Sequence, residues 1–238
     1  MKNLFKEMNK FELIGTVLVF ALVIAGCILS YIQPEFFRYK YTVEDGPLET
    51  MTVFFLLTGS FTCIYRVFKL KSEKKTLFLM CTCILAALFF FGAGEEISWG
   101  QRIFDIQSNE FFKKHNTQGE TTLHNLSFTN SDGKKVKINK LVFSKILTIS
   151  IIIYMLILPP LYRRKEKIKN LVDSFAIPLP QTRQVILYAL LAAIVLSIGH
   201  KRKGELLEFG GCFLFLMITL FPYNKFNFLL KKDQPTVK

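Results

Sequence analysis

Charge is missing from six long stretches of this chain. Residues 13–32 carry none, and neither do residues 50–65, 76–94, 146–162, 184–199 and 209–224. A membrane-spanning helix needs ~20 predominantly apolar residues, so six such runs point away from a soluble fold. Cysteine is scarce as well, and all five (Cys27, Cys63, Cys81, Cys83 and Cys212) sit within apolar runs. They read as small buried apolar residues, and no disulfide framework is implied. There is no tandem repeat, low-complexity tract or sign of a second domain. Histidine occurs only at 115, 124 and 200, and tryptophan only at 99.

The expected fold is an all-α integral membrane bundle of six transmembrane helices. The spans fall at about 13–32, 48–68, 76–96, 141–162, 184–200 and 205–224, in a single membrane domain covering 1–238. The net charge of +13 would suggest nucleic acid in a soluble protein. Here the basic residues cluster between spans and read as loop anchors and topology signals, so no nucleic-acid partner is expected. Arg66, Lys69, Lys71, Lys74 and Lys75, the group Arg163–Lys169, the N-terminal lysines and Lys225, Lys231, Lys232 and Lys238 all fall on one side of a six-span arrangement. That side is cytoplasmic by the positive-inside rule, with both termini inside. Residues 97–139 then form a long extracytoplasmic loop. The Ile24-Ala25-Gly26-Cys27 stretch has the form of a lipobox, but the apolar run continues to Ile32, which favours an uncleaved first helix.

Punctuation along the chain suggests where spans begin and end. Pro47 suits a first helical turn, with Asp45 as its cap. Run three meets Gly92-Ala93-Gly94 just before two glutamates, where the helix could break and restart. Run four ends at Pro159-Pro160, followed by a basic and then Pro-rich connection over 163–183.

What remains is a set of ionisable residues that these spans bring to one membrane face. They are Glu44, Asp45 and Glu49; Glu95 and Glu96, continuing to Glu120 and His124; and His200, Glu205 and Glu208. Ionisable groups at a membrane boundary are costly and read as a site by default. Runs two and six sharpen this. Each has only 16 uncharged residues, between Glu49 and Arg66 and between Glu208 and Lys225. At 1.5 Å per residue neither reaches across ~30 Å of hydrocarbon. The flanking carboxylates therefore sit at the boundary, where each must take up a proton, bind a cation or pair with a base.

The densest stretch is Gly94-Glu95-Glu96-Ile97-Ser98-Trp99-Gly100-Gln101-Arg102. If helical, it puts Glu95, Ser98, Trp99 and Arg102 on one face. An adjacent glutamate pair suits acid–base chemistry with one neutral and one charged carboxyl, making Glu96, Glu95 and Ser98 the catalytic candidates. Arg102, Gln101, Trp99 and Glu49 are candidates to hold substrate, with Arg102 and Lys201–Lys203 receiving an anionic headgroup. Glu120 and His124, at i, i+4, suit a pair of metal ligands on a helix. With His200, Glu205 and Glu208 they would hold a divalent metal such as zinc, with an open position for water. Glu44, Asp45, Glu49, Glu205 and Glu208 also have a structural reading, because acids are favoured at helix N-termini. His115 reads as a solvated or interfacial residue.

The stretch Gly94–Arg102, followed by Glu120 and Leu123-His124-Asn125, resembles a signature of uncharacterised bacterial multi-pass membrane proteins. The resemblance implies a bacterial plasma-membrane location and no particular activity. Glu95-Glu96 with Phe111…His115 echoes the paired Glu and Phe-x-x-x-His of intramembrane CAAX-type proteases, although Arg102 lies further from the pair. Ceramidase- and adiponectin-receptor-like hydrolases use three histidines, an aspartate and a serine around zinc. This chain offers three histidines and Ser98 but lacks their His-x-x-x-His pair.

The expected function is a membrane-embedded hydrolase or transferase acting on a lipid or lipid-linked substrate at the extracytoplasmic interface. Membrane lipid is the expected partner. The alternatives are a cation- or proton-coupled carrier and a non-enzymatic binding or assembly subunit. Against the carrier, no acid lies deep within any run, and the cytoplasmic ends of the runs carry almost no polar chemistry.

Overall fold

A computed structural model describes residues 8–123, 125–129, 135–137 and 145–234 of the chain. The described residues are helical apart from turns, loops and one antiparallel hairpin of two three-residue strands, β1 (Ser127–Thr129) and β2 (Lys135–Lys137). The helices are α1 (Lys10–Ile32), α2 (Pro47–Leu70), α3 (Thr76–Glu96), α4 (Glu110–His115), α5 (Leu147–Arg164), α6 (Glu166–Ser174), α7 (Thr182–Ser197) and α8 (Lys203–Leu220).

Four of these, α1, α2, α3 and α5, are long and apolar enough to cross a membrane. Between 11% and 33% of each is buried within the protein, so most of their apolar surface faces outward. Leu13, Ile14, Val17 and Leu18 on α1 are examples. Lipid, not water, is the solvent that suits such a surface, and the chain reads as a multi-pass membrane protein. α7 is apolar but shorter, with 16 residues, and α8 opens on a charged first turn.

α8 is the hub of the bundle. Phe209, Phe213, Leu214 and Met217 pack against Val19 and Val23 of α1, Phe55 of α2, and Leu187, Leu191 and Val195 of α7. Small residues let the helices approach closely. A Cβ on Gly210 would lie 2.6 Å from Leu191 Cδ1. Between α2 and α3, the Ser60 hydroxyl donates to the Ala86 carbonyl at 2.9 Å.

Several local expectations are corrected. Residues 34–41, left between the first two expected spans, are helical (Pro34–Phe36, then a π-turn at Phe37–Tyr41) and fold back on α1. Phe37 is fully buried there, and the Tyr41 hydroxyl donates to the Leu22 carbonyl at 2.7 Å. Gly46, not Asp45, precedes Pro47 as the N-cap, and no side chain caps α2. α3 runs unbroken through Gly92–Gly94 to Glu96. α5 continues through Pro159-Pro160 to Arg164. A π-turn over Ile153–Ile157 comes just before, a wide turn that accommodates the carbonyls the prolines cannot pair. The 163–183 connection contains α6.

The end of the bundle away from the glutamates is also more polar than expected. Asp173 accepts from the Tyr162 hydroxyl at 3.0 Å, and Asn227 Nδ2 donates to its carbonyl at 3.0 Å. Deeper in, Glu12 at the start of α1 meets Arg183 at the start of α7. Nε and Nη2 of Arg183 donate to Glu12 Oε1 and Oε2 at 3.1 and 2.9 Å. Nothing in the sequence marked either residue as paired, yet Glu12 is 1% exposed.

Candidate functional site

The glutamates converge at the end of the bundle formed by the start of α2, the end of α3 and the start of α8. Because α3 does not break, Glu95 and Glu96 lie at a helix C-terminus, where the macrodipole disfavours anions. The chain then makes a sharp reversal in which Ser98 (φ 47°), Trp99 (φ 53°) and Gly100 (φ 77°) are all left-handed. Such backbone is strained for non-glycine residues and concentrates at functional sites. Asp45 (φ 58°), across the pocket, is left-handed too. The reversal turns Arg102 back over the end of α3, so Glu95, Ser98, Trp99 and Arg102 do not share a helical face as expected.

A pocket of about 240 Å³ lies beneath this turn. Seven glutamates line it: Glu44, Glu49, Glu95, Glu96, Glu120, Glu205 and Glu208. Arg102, Gln118 and Asn125 complete the wall. Glu96 of α3 and Glu208 of α8 line it together, with Glu49 and Glu205 beside them. A narrow extension of the cavity runs from this pair to Thr42, Leu48 and Thr52.

Arg102 is fully engaged. Its Nε donates to Asp45 Oδ1 at 3.0 Å, and Nη1 donates to Glu120 Oε1 at 3.1 Å. Nη2 donates to Glu49 Oε1 at 2.7 Å and to the Glu96 carbonyl at 3.0 Å. Burial works against its charge, but Glu120, Glu49 and Asp45 outweigh that and hold the guanidinium above its ordinary pKa. It is thus a tie between α2, the end of α3 and the 116–125 loop, in place of the free anion receptor read from sequence. Arg202, within the Lys201–Lys203 group given the same role, donates to the Thr42 carbonyl at 2.7 Å and to Glu44 at 3.3 Å.

The other sequence candidates have separate places. Glu95, read as catalytic, has both oxygens occupied: Trp99 Nε1 donates to one at 2.9 Å and the Leu123 amide to the other at 2.7 Å. Ser98 is buried, and its hydroxyl donates to Glu120 Oε2 at 2.6 Å. Gln101 braces the loop through the Ser108 hydroxyl and the Thr121 amide. The Trp99 ring lies over Gly94, where a Cβ would come within 2.8 Å of it. Glu120 is in irregular chain, so its helical i, i+4 relation to His124 is not realised on the Glu120 side, and His124 itself lies outside the described residues. His200 is not in the pocket wall: its Nδ1 accepts the Arg202 amide at 3.1 Å, and its ring meets Phe37 edge-on. Among the described residues, no group of three or more His, Cys, Asp or Glu is arranged to hold a metal ion.

Sequence reading missed Gln118, which lines the pocket and donates to Glu44 at 3.0 Å. A lone glutamine in a polar loop carries no signal that could have marked it. Comparison of the chain with models of protein families, with curated proteins and with solved structures gives no match, so the functional reading rests on the pocket itself.

Proposed function

We propose that this protein is a membrane-embedded hydrolase or transferase acting on a lipid or lipid-linked substrate, with Glu96 and Glu208 as its acid–base pair. The observation that carries this reading is that Glu96 and Glu208, from two different helices, line one glutamate-walled pocket at the end of an apolar bundle. Two carboxyls sharing one proton supply both roles a group transfer needs. The carboxylate takes the proton of the attacking water or hydroxyl as its oxygen bonds to the substrate. The carboxylic acid gives its proton to the departing oxygen, and the pair ends with its proton exchanged between partners. Glu49 and Glu205 stand beside the pair, while Glu95, Ser98 and Glu120 hold the roof.

A divalent ion would draw on His124 and on Glu120, Glu205 and Glu208. The described part of that set offers only oxygen, the donor of magnesium- or calcium-like ions more than of zinc. The acid–base steps above do not depend on it.

The test is full-length protein in nanodiscs of defined phospholipid, glycerolipid and lipid-linked sugar composition, with products followed by mass spectrometry. Wild type should convert one lipid class. Glu96→Gln and Glu208→Gln should each slow conversion by roughly 10²–10⁴-fold while leaving the thermal midpoint near that of wild type. A fully active Glu96→Gln would sink the assignment, and loss of wild-type turnover on adding chelator would bring in the metal.

We further propose that six helices cross the membrane with both termini cytoplasmic and the pocket extracytoplasmic, in a bacterial plasma membrane. The support is the positive-inside rule: basic connections gather at the end opposite the pocket, where Lys74 donates to Asn227 and Lys69 pairs with Asp233. A C-terminal reporter that fluoresces only in the cytoplasm should light up, and a dark fusion would reverse the orientation.

A further inference from the structure

A second cavity, of about 330 Å³, lies beside the glutamate pocket between α2 and the turn that follows α3. Thr50 and Val53 of α2 and Ile97 and Ile103 of the turn give it mostly apolar walls. The two cavities have Glu49 and Arg102 in common. The guanidinium of Arg102, held by carboxylates on both sides, is the partition between them. At the outer edge of the cleft Ile103 is 65% exposed, and the next residue, Phe104, is 71% exposed. An apolar cleft bordered by outward-facing apolar residues thus backs directly onto a wall of acids.

Charge decides what can span the two. Among the described residues, the pocket beyond the partition has seven glutamates, and Arg102, the one cation lining it, is already bound by three carboxylates. An anionic headgroup would be desolvated against described walls of its own sign, whereas an ammonium group would be matched.

We infer that the cleft is a lateral passage for a long-chain amphiphile bearing an amine. The chain lies between α2 and the turn, the ammonium lies among Glu49, Glu96 and Glu208, and Arg102 is the partition that must shift to admit it. This rests on the glutamate pocket being the working site, and it names the substrate class.

Trp99 is the chain's one tryptophan, two residues from Ile97 and hydrogen-bonded to Glu95, so its fluorescence reports on the site. Full-length protein in phosphatidylcholine nanodiscs is titrated with a bromine-labelled long-chain amine. The alcohol and the alkyl phosphate of the same chain length serve as comparators. The amine should quench Trp99 saturably at a concentration at least ten-fold below the alcohol, and the phosphate should show no saturable phase. Val53→Phe, which narrows the cleft, should weaken the amine at least ten-fold, and Val53→Ala should not. Thr50→Phe, at a more exposed cleft position, is the second blocking variant. Quenching by the phosphate equal to that by the amine overturns the headgroup assignment. Amine quenching untouched by both blocking variants overturns the passage, since simple partitioning into the bilayer would explain it. Saturable amine binding without turnover of any lipid would leave the passage standing and remove the enzyme reading. Turnover of an anionic lipid without amine binding would do the reverse.

Discussion

Replacing Arg102 by alanine should cost about 3 kcal/mol of stability, the lower end of the range for removing one partner of a buried ion pair. The side chain is 22% exposed, and its partners Glu49 and Glu120 are 11% and 16% exposed, so these contacts are only weakly screened. Asp45, at 56%, adds little. Without the guanidinium, two carboxylates brought close together by different parts of the chain lose their shared counter-charge. The Glu96 carbonyl at the end of α3 loses a donor as well. The strained turn from Ser98 to Gly100 depends on such surrounding contacts to persist. Arg102→Lys should recover only part of the loss, because one ammonium cannot reproduce a fork that reaches Asp45, Glu49 and Glu120 at once. Thermal unfolding in nanodiscs is the measurement. A midpoint in Arg102→Ala equal to wild type would show that the tie is dispensable.

At the other end of the bundle, Glu12→Gln and Arg183→Met should each destabilise by ~3–5 kcal/mol, while a double replacement by leucine recovers most of that loss. The asymmetry follows from burial. Arg183 and Glu12 form a two-point pair at 3.1 and 2.9 Å, with side chains 8% and 1% exposed. Gln184 donates to the Met217 carbonyl at 3.2 Å beside them, tying the starts of α1 and α7 to the end of α8. Removing one partner strands a charge away from water, and removing both leaves an apolar gap that leucine fills. A double-mutant cycle on unfolding free energy reads the coupling. Additive single and double effects would mean that the two charges are stabilised independently.

Much of the frame was legible in order along the chain. Each charge-free run became a helix or most of one, because the cost of placing a charge in hydrocarbon is set residue by residue. Glu49, Glu96, Glu205 and Glu208 could be expected at one end, since six successive membrane-crossing runs put alternate boundaries on the same face. Turn chemistry was less legible. Pro159-Pro160 reads as a stop, but the wider turn at Ile153–Ile157 lets α5 pass through it. Asp45 has the residue type of a cap, yet it adopts a left-handed backbone and faces Arg102 instead.

Local composition is enough to make this chain a helical membrane protein with acids gathered at helix ends. Only the tertiary structure decided which acids work together. Glu96 and Glu208 are more than a hundred residues apart and line one pocket because α3 and α8 both pack against α2. His200, three residues before a helix that carries two pocket glutamates, turns instead to Phe37. Arg102 reads in isolation as a receptor for anions, and in the fold it is consumed by three carboxylates. The field in a pocket is a sum over distances that no linear order encodes, and that sum makes this site a receptor for positive charge.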